Sequence, residues 1–307
     1  MAAPHPGPPP LDLTRTPRRR TLALTVLALL AFAGNSLLCR RALDGTDTDP
    51  ASFTALRLLS GAVVLALLAH RPGQSWHRAG DTASAFALFA YAACFSWAYL
   101  GLTAGTGALL LFGAVQATML GVGLARGTRW SALQSAGLVL ALAGLVGLLL
   151  PGFSAPPPLP AALMLLAGVA WGVYSLRGRG VADPTAATAG NFIRAVPFAL
   201  LACLIALPWL RVDAAGAAYA LVSGAITSGL GYAAWYAALR GLSPQAAGSS
   251  QLAVPVITAV AGLVLLDEAV GLRLVLGSLA VLGGIALTLP WRAVRATAGS
   301  GSTGARR

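Results

Sequence analysis

Apolar residues along this chain fall into long runs separated by short polar or proline-rich breaks. Ten runs are of roughly membrane-spanning length: 21–38, 51–69, 83–100, 106–125, 132–150, 159–176, 186–207, 214–239, 246–266 and 272–289. At about 1.5 Å per residue, a run of about twenty covers about 30 Å, the thickness of a bilayer's hydrocarbon core. Each run therefore predicts a transmembrane helix. The proline-rich stretch 151–160 divides the runs into two sets of five.

The second set repeats the first. Tyr99-Leu100-Gly101-Leu102-Thr103-Ala104 sets against Leu239-Arg240-Gly241-Leu242-Ser243-Pro244 at an offset of 140 residues, and the same frame puts Thr118 on Thr258, Gly137 on Gly277 and Gly144 on Gly284. In both halves the Gly-Leu-Ser/Thr corner falls at the tip of a helical hairpin. This predicts an internal duplication. Five is odd, so the second half must enter the membrane from the opposite side, as an inverted repeat.

Charge distribution tests that topology, because arginines collect on the cytoplasmic side of a membrane. With the N-terminus inside, arginines 15, 18, 19, 20, 71, 78, 126, 129, 177, 179, 240, 292, 295, 306 and 307 are inside, and Arg40, Arg41, Arg211 and Arg273 are outside. Fifteen against four favours the inverted arrangement, with both termini cytoplasmic. The corner after run four carries Arg126 and Arg129, whereas its equivalent after run nine carries Asp267 and Glu268. Charge has followed topology where the apolar pattern followed the duplication.

Composition narrows the class further. A chain of 307 residues that is 57% hydrophobic and 10% charged has too little polar surface to cover a soluble globule. The net charge of +12 comes entirely from arginine, but the arginines stand singly or in small groups between apolar runs and leave no domain to present a basic face to nucleic acid. Cys39, Cys94 and Cys203 lie far apart in or beside apolar runs, a spacing that suits packing rather than a metal site or disulfide. Residues 1–20 are dense in proline and end in Arg18-Arg19-Arg20, which predicts a flexible tail with a basic anchor. Run one could pass for a signal peptide with Ala31-Phe32-Ala33 as its cleavage site, but it is also the first member of the repeat and is expected to stay. The organisation expected is a tail (1–20), a first repeat (21–150), a linker (151–160), a second repeat (161–291) and a short cytoplasmic tail (292–307).

Runs one and six carry matching elements, Phe32-Ala33-Gly34-Asn35 and Trp171-Gly172-Val173-Tyr174. Run two holds Ala-Leu-Arg-Leu-Leu-Ser, and run eight ends in Gly-Tyr-X-X-Trp-Tyr before Gly-Leu-Ser and a proline-containing run. In this order, with the duplication, these elements resemble the EamA-like branch of the drug/metabolite transporter superfamily over about residues 20–291. Such repeats commonly end their fourth helix in Gly-Glu or Asp-Glu. The second half has Asp267-Glu268, whereas the first has Arg126-Gly127-Thr128-Arg129. The resemblance implies an all-α polytopic permease of ten transmembrane helices in a bacterial inner membrane, moving a small metabolite, amino-acid-like solute or drug, commonly outward.

Charged side chains at membrane depth cost about 2.5–3.5 kcal/mol each on insertion scales, so they need a reason to be there. Arg57 in run two and Arg194 in run seven are the two that qualify. Either could bind an anionic group in a central cavity, since guanidinium pairs bidentately with carboxylate or phosphate; snorkelling or bonding to helix-end carbonyls is the alternative for each. Asn35 after Gly34, and Trp171 before Gly172, mark places where runs one and six could be interrupted around a midplane site, with Gly168 and Gly172 offering close helix packing instead. Tyr174, Asn191, Trp235 and Tyr236 are further cavity candidates. Gln116, Gln245, Ser249, Ser250 and Gln251 suit interhelical hydrogen bonds as well as solute contact, and Pro197 and Pro255 should kink their helices.

All nine acidic residues lie in tails or loops, and no Gly-Lys-Ser/Thr nucleotide loop is present. Buried nucleophile–base pairs, membrane carboxylate relays and metal-ligand clusters are missing from the sequence, which argues against an embedded enzyme and a cofactor. The expectation is a secondary transporter whose partners are a small solute and the lipid bilayer. Uptake of an organic anion is the alternative within transport, and a non-transporting scaffold or sensor the alternative outside it. A homodimer is compatible with the sequence, but no feature calls for one.

Overall fold

The computed structural model describes residues 18–70, 79–127, 131–151 and 155–289. Twelve α-helices make up nearly all of them: α1 (Arg18–Gly45), α2 (Pro50–Ala69), α3 (Thr82–Ala98), α4 (Ala104–Ala125), α5 (Ala132–Leu149), α6 (Pro158–Arg177), α7 (Pro184–Ile205), α8 (Ala214–Val222), α9 (Gly231–Leu239), α10 (Pro244–Gln251), α11 (Ala253–Leu265) and α12 (Leu272–Thr288). A 3-10 turn, Leu207–Trp209, follows α7. Between α8 and α9 runs a π-helical segment, Ser223–Leu230, so that the three form one rod, Ala214–Leu239. Among the described residues, eight helical segments are long and apolar enough to cross a membrane; α3 and α12 are apolar but only 17 residues long.

The polar residues between runs prove to be helix starters. Asp49, Asp81, Asp183 and Asp213 each accept hydrogen bonds from the first-turn N–H groups of α2, α3, α7 and α8. Thr103 and Ser243, the two hydroxyls of the duplicated corner, do the same for α4 and α10. Ser131 and Gln134 form a reciprocal capping box on α5. A helix leaves its first four N–H groups unpaired, so these side chains say where each run begins. The first helix starts at Arg18, which puts the basic run in its first turn rather than in a tail; residues 1–17 lie outside the described ones. Likewise α6 starts at Pro158, inside the stretch expected to be a linker.

Helices α1 and α6 are continuous, so the interruptions expected beside Asn35 and Trp171 do not occur. Their glycines serve close packing instead. A Cβ on Gly168 would lie 2.5 Å from the Ala114 Cβ, and one on Gly172 would lie 2.9 Å from Thr118. Small residues four apart thus seat α6 against α4. Pro197 sits inside α7 without breaking it. Pro255 has no N–H for the Gln251 carbonyl, and the helix parts there into α10 and α11 at Leu252.

Packing pairs α2 with α7, α3 with α6, α5 with α12, α4 with α6 and α11, and α1 with α8, α9 and α11. Helices α5 and α12 meet along glycines: Gly137 faces Gly284, and Gly144 faces Ala280 and Val281, so the two run antiparallel. Large apolar side chains such as Leu67, Leu204, Leu265 and Leu279 turn outward, as they would toward lipid.

A Cβ at position 284 would lie 2.5 Å from both the Ala141 nitrogen and the Gly137 carbonyl oxygen, while at Gly283 it would meet nothing within 4 Å. Backbone cannot yield as a flexible side chain can. Gly284→Ala should therefore lower the unfolding free energy in detergent by roughly 1–3 kcal/mol, whereas Gly283→Ala should leave it equal or raise it by up to about 1 kcal/mol. Paired thermal melts check this; equal effects at the two sites would contradict the glycine seam.

Candidate functional site

A cavity of about 760 Å³ lies at the centre of the bundle. Its walls are aromatic. Trp171 contacts Tyr91, Tyr174 and Tyr232 at ring-centroid distances of 4.9, 5.3 and 5.2 Å, and Phe32 contacts Tyr232 and Trp235 at 6.0 and 5.8 Å. Arg57 is on its floor, and no acidic residue lines it among the described residues.

Arg57 is 2% exposed. Its Nη2 donates to the Tyr91 hydroxyl at 3.0 Å and its Nε to Ser228 Oγ at 3.3 Å, while its carbon Cζ lies 5.2 and 5.1 Å from the ring centres of Tyr91 and Phe95. Nη1 has no hydrogen-bond partner. Two bonds to neutral oxygens contribute about 0.5–1.5 kcal/mol each, and a desolvated cation–π contact up to about 2. These offset the insertion cost of about 2.5–3.5 kcal/mol but still leave an unpaired N–H, which costs about 1–3 more. The site holds a charge it only partly satisfies.

The same hydroxyl joins Arg57 to Asn35, whose Nδ2 donates to Tyr91 at 3.3 Å and whose Oδ1 accepts from Ser223 at 2.8 Å. Ser223 and Ser228 come from the π segment, which can approach α2 because a Cβ on Gly224 would collide with Ser60 Oγ and the Arg57 carbonyl. A π-helical turn re-aims side chains within a helix and recurs at functional sites. It is the interruption expected in runs one and six, found in run eight instead. Neither Tyr91 nor the serines were among the candidates the sequence singled out. The signal was there: Tyr91 is, with Cys94, the only residue between Ser84 and Ser96 with a polar side-chain atom, and Ser223 to Gly231 is rich in serine, threonine and glycine within an apolar run.

Of the expected residues, Asn35, Arg57, Trp171, Tyr174, Trp235 and Tyr236 line this cavity, with Gln116 and Gln251 also on its wall. Asn191 lies outside it, in a smaller adjoining cavity of about 230 Å³ shared with Tyr174 and Tyr236. There its Oδ1 accepts from the Asp81 N–H at 2.9 Å. Arg194 lines neither; its Nη1 donates to the carbonyls of Ala79, at 2.6 Å, and Gly190, at 3.0 Å. It pins the chain before α3 to α7. Ser250 bonds the Ala247 carbonyl, and the Gln245 side chain is outside what is described.

The cavity has a mouth among exposed residues. Met119 and Gly123 near the end of α4, exposed Gly178 to Val181 after α6, Leu242 after α9 and Leu289 after α12 surround it. This is the end where α1 begins and α12 stops, and it carries Arg18, Arg19, Arg20, Arg126, Arg177, Arg179 and Arg240; the other arginines placed inside lie outside the described residues. At the far end, Arg40 Nε pairs with Glu268 at 3.1 Å, its Nη1 donates to the Tyr99 carbonyl at 3.0 Å, and the other Glu268 oxygen accepts the Ala104 N–H at 2.8 Å. Asp267, at φ 53°, turns the chain so that Glu268 folds back onto α1 and α4. Asp49 and Arg211 exchange two further bonds beside Thr48 and Asp213. One end of the cavity is open and the other is latched.

Comparison with known proteins places this geometry. The model of the EamA-like transporter family matches residues 159–289. A protein of Pseudomonas aeruginosa, described as uncharacterized, is 59% identical over 281 residues, covering 91% of this chain and 98% of its own. A crystal structure with 22% identity superposes with a TM-score of 0.64, covering 89% of this chain and 98% of that one, which is a likeness of fold.

Beside the mouth, Asp81 caps α3 and pairs with Arg177 at 2.8 Å. The Ser84 hydroxyl, with Arg177 adding to it, pulls the Asp81 carboxyl down from 3.8 to about 2. Its folded value is depressed, so its stabilisation is complete above about pH 4 and is lost as pH falls through about 2. Half of the side chain is exposed, which holds the charge contribution to about 1 kcal/mol or less. The stability difference between wild type and Asp81→Asn should shrink between pH 6 and pH 3; a constant difference would contradict the assignment.

Proposed function

The chain belongs to the EamA-like transporter family, and on that premise we propose that it is a secondary transporter, moving a small organic solute through the aromatic cavity by alternating access. One observation carries the reading. The cavity reaches a buried cation and a polar network at mid-bundle, opens at the arginine-rich end and is closed at the other by the Arg40–Glu268 latch. A carrier caught facing one side has this form.

We take the bundle to cross the membrane ten times, α3 and α12 included, as two inverted halves. The antiparallel course of α5 and α12 supports this, as does the reciprocity of the packing: α3 on α6 answers α1 on α8 and α9, and α4 on α6 answers α1 on α11. The positive-inside rule then makes the mouth cytoplasmic, in a bacterial inner membrane with both termini inside. Solute loads from the cytoplasm in this state, which favours export. Arg57 on the floor equally favours the reverse traffic of an organic anion, so direction would follow the gradient.

Latch rupture should open the far side. Removing one partner of a partly buried pair costs roughly 1–3 kcal/mol here, enough to shift a two-state population about fivefold or more. In a background with Cys39, Cys94 and Cys203 replaced, Ser36→Cys should react with an impermeant maleimide from the mouth side only. Adding Glu268→Gln should give labelling from the far side as well. Labelling from neither side, with or without the second change, would contradict alternating access.

A further inference from the structure

The cavity floor says more about the solute than transport alone requires. Arg57 keeps one nitrogen, Nη1, without a partner, although the residue is 2% exposed and lines the cavity. No aspartate or glutamate among the described residues lines that cavity, so the guanidinium has no counter-ion within it. The residues around Arg57 offer hydroxyl oxygens and ring faces: Tyr91, Ser228 and Phe95. They steer the guanidinium without neutralising it. A second cation, Arg179, stands at the mouth, with its Nη2 donating to the Met119 sulfur at 3.8 Å. The path thus runs from one positive charge to another between aromatic walls, and the carboxylate beside it, Asp81 in the adjoining cavity, is already paired with Arg177.

Resting on the transport reading above, we infer that the solute is an amphipathic organic monocarboxylate without an ammonium group. Its carboxylate takes Nη1 of Arg57 and its apolar body lies against Trp171 and Tyr232. Three features of the site assign this class. A carboxylate supplies the missing acceptor and the missing charge together, through a charge-assisted bond. The rings fit an apolar body, and at about 760 Å³ the cavity holds one of drug-like size or smaller. An ammonium group would be carried between Arg57 and Arg179 with no carboxylate among the described residues lining the cavity to meet it, so a zwitterionic amino acid is disfavoured against its deaminated counterpart. Asn35 does not change this, because its oxygen already accepts from Ser223 and its amide nitrogen donates to Tyr91.

The test varies the headgroup on one body. Binding to the full-length protein is followed by tryptophan fluorescence, and flux by uptake into proteoliposomes, for 3-phenylpropanoate, 3-phenylpropanamide, phenylalanine and 2-phenylethylamine. Expected is binding of the carboxylate at least about tenfold tighter than of the amide or the amine, with phenylalanine weaker than the carboxylate. Arg57→Gln should abolish that preference, and Arg57→Lys should keep part of it. Overturning results are equal affinity for amide and carboxylate, tighter binding of phenylalanine or the amine, or no binding of any of the four. Competition by chloride alone with no displacement by the carboxylate would also overturn it, giving the charge to an inorganic ion. The headgroup series on wild type decides the matter even where Arg57→Gln does not fold. Flux that ignores the headgroup leaves the transporter reading standing and sinks this one; selective binding without flux does the opposite.

Discussion

A guanidinium buried in the middle of an apolar bundle, with no carboxylate lining its cavity among the described residues, is the constraint around which this molecule is arranged. Bilayer hydrocarbon would not tolerate it, so Arg57 must be enclosed by protein and face a cavity. Enclosure requires α2 to lie close to run eight, which Gly224 permits. It also requires oxygens at the right height, which the π segment provides through Ser228 and which α3 provides through Tyr91. The hydroxyl of Tyr91 then ties Asn35 of α1 to the same point. Four elements meet at one charge.

The two ends of the cavity differ in how they are held. At the far end, closure depends on discrete polar contacts between helix ends: Arg40 with Glu268, Asp49 with Arg211, Thr48 with Asp213. Such contacts can be exchanged for water when the end opens, at modest cost. The glycine seams of α4 with α6 and α5 with α12 are different, because they bring main chains within reach of each other over one turn and two turns respectively. Rigid seams with exchangeable latches are the division of labour a rocking carrier needs.

Much of this could be read from the residues. Apolar runs located the helices, and the duplicated Gly-Leu-Ser/Thr corner, whose hydroxyls prove to be caps, located their ends. Of the acidic pair absent from the first half, Glu268 holds the latch in the second and Asp267 makes the turn that brings it there. What could not be read was orientation. Arg57 and Arg194 lie in corresponding runs, yet with the matching Asp-Pro starts of α2 and α7 aligned, Asp49-Pro50 on Asp183-Pro184, Arg57 falls on Asn191, three residues before Arg194. Three residues turn a helix by about 300° and move it about 4.5 Å, enough to send one arginine to the cavity and the other to the Ala79 carbonyl. The π segment was hidden for a similar reason: serine and glycine within an apolar run signal a departure from α-helix without saying that it is needed to meet a charge on another helix.

The central claim is that the two ends open in turn around a fixed floor. Pulsed dipolar spectroscopy in lipid nanodiscs measures it directly, with one pair of spin labels across the mouth, at Met119 and Gly180, and another across the far end, at Asp44 and Val270. Comparing the two distance distributions with and without saturating monocarboxylate, the account predicts reciprocal populations: where the mouth pair shortens, the far pair lengthens. Distributions that stay fixed under every condition, or that widen together, would contradict it.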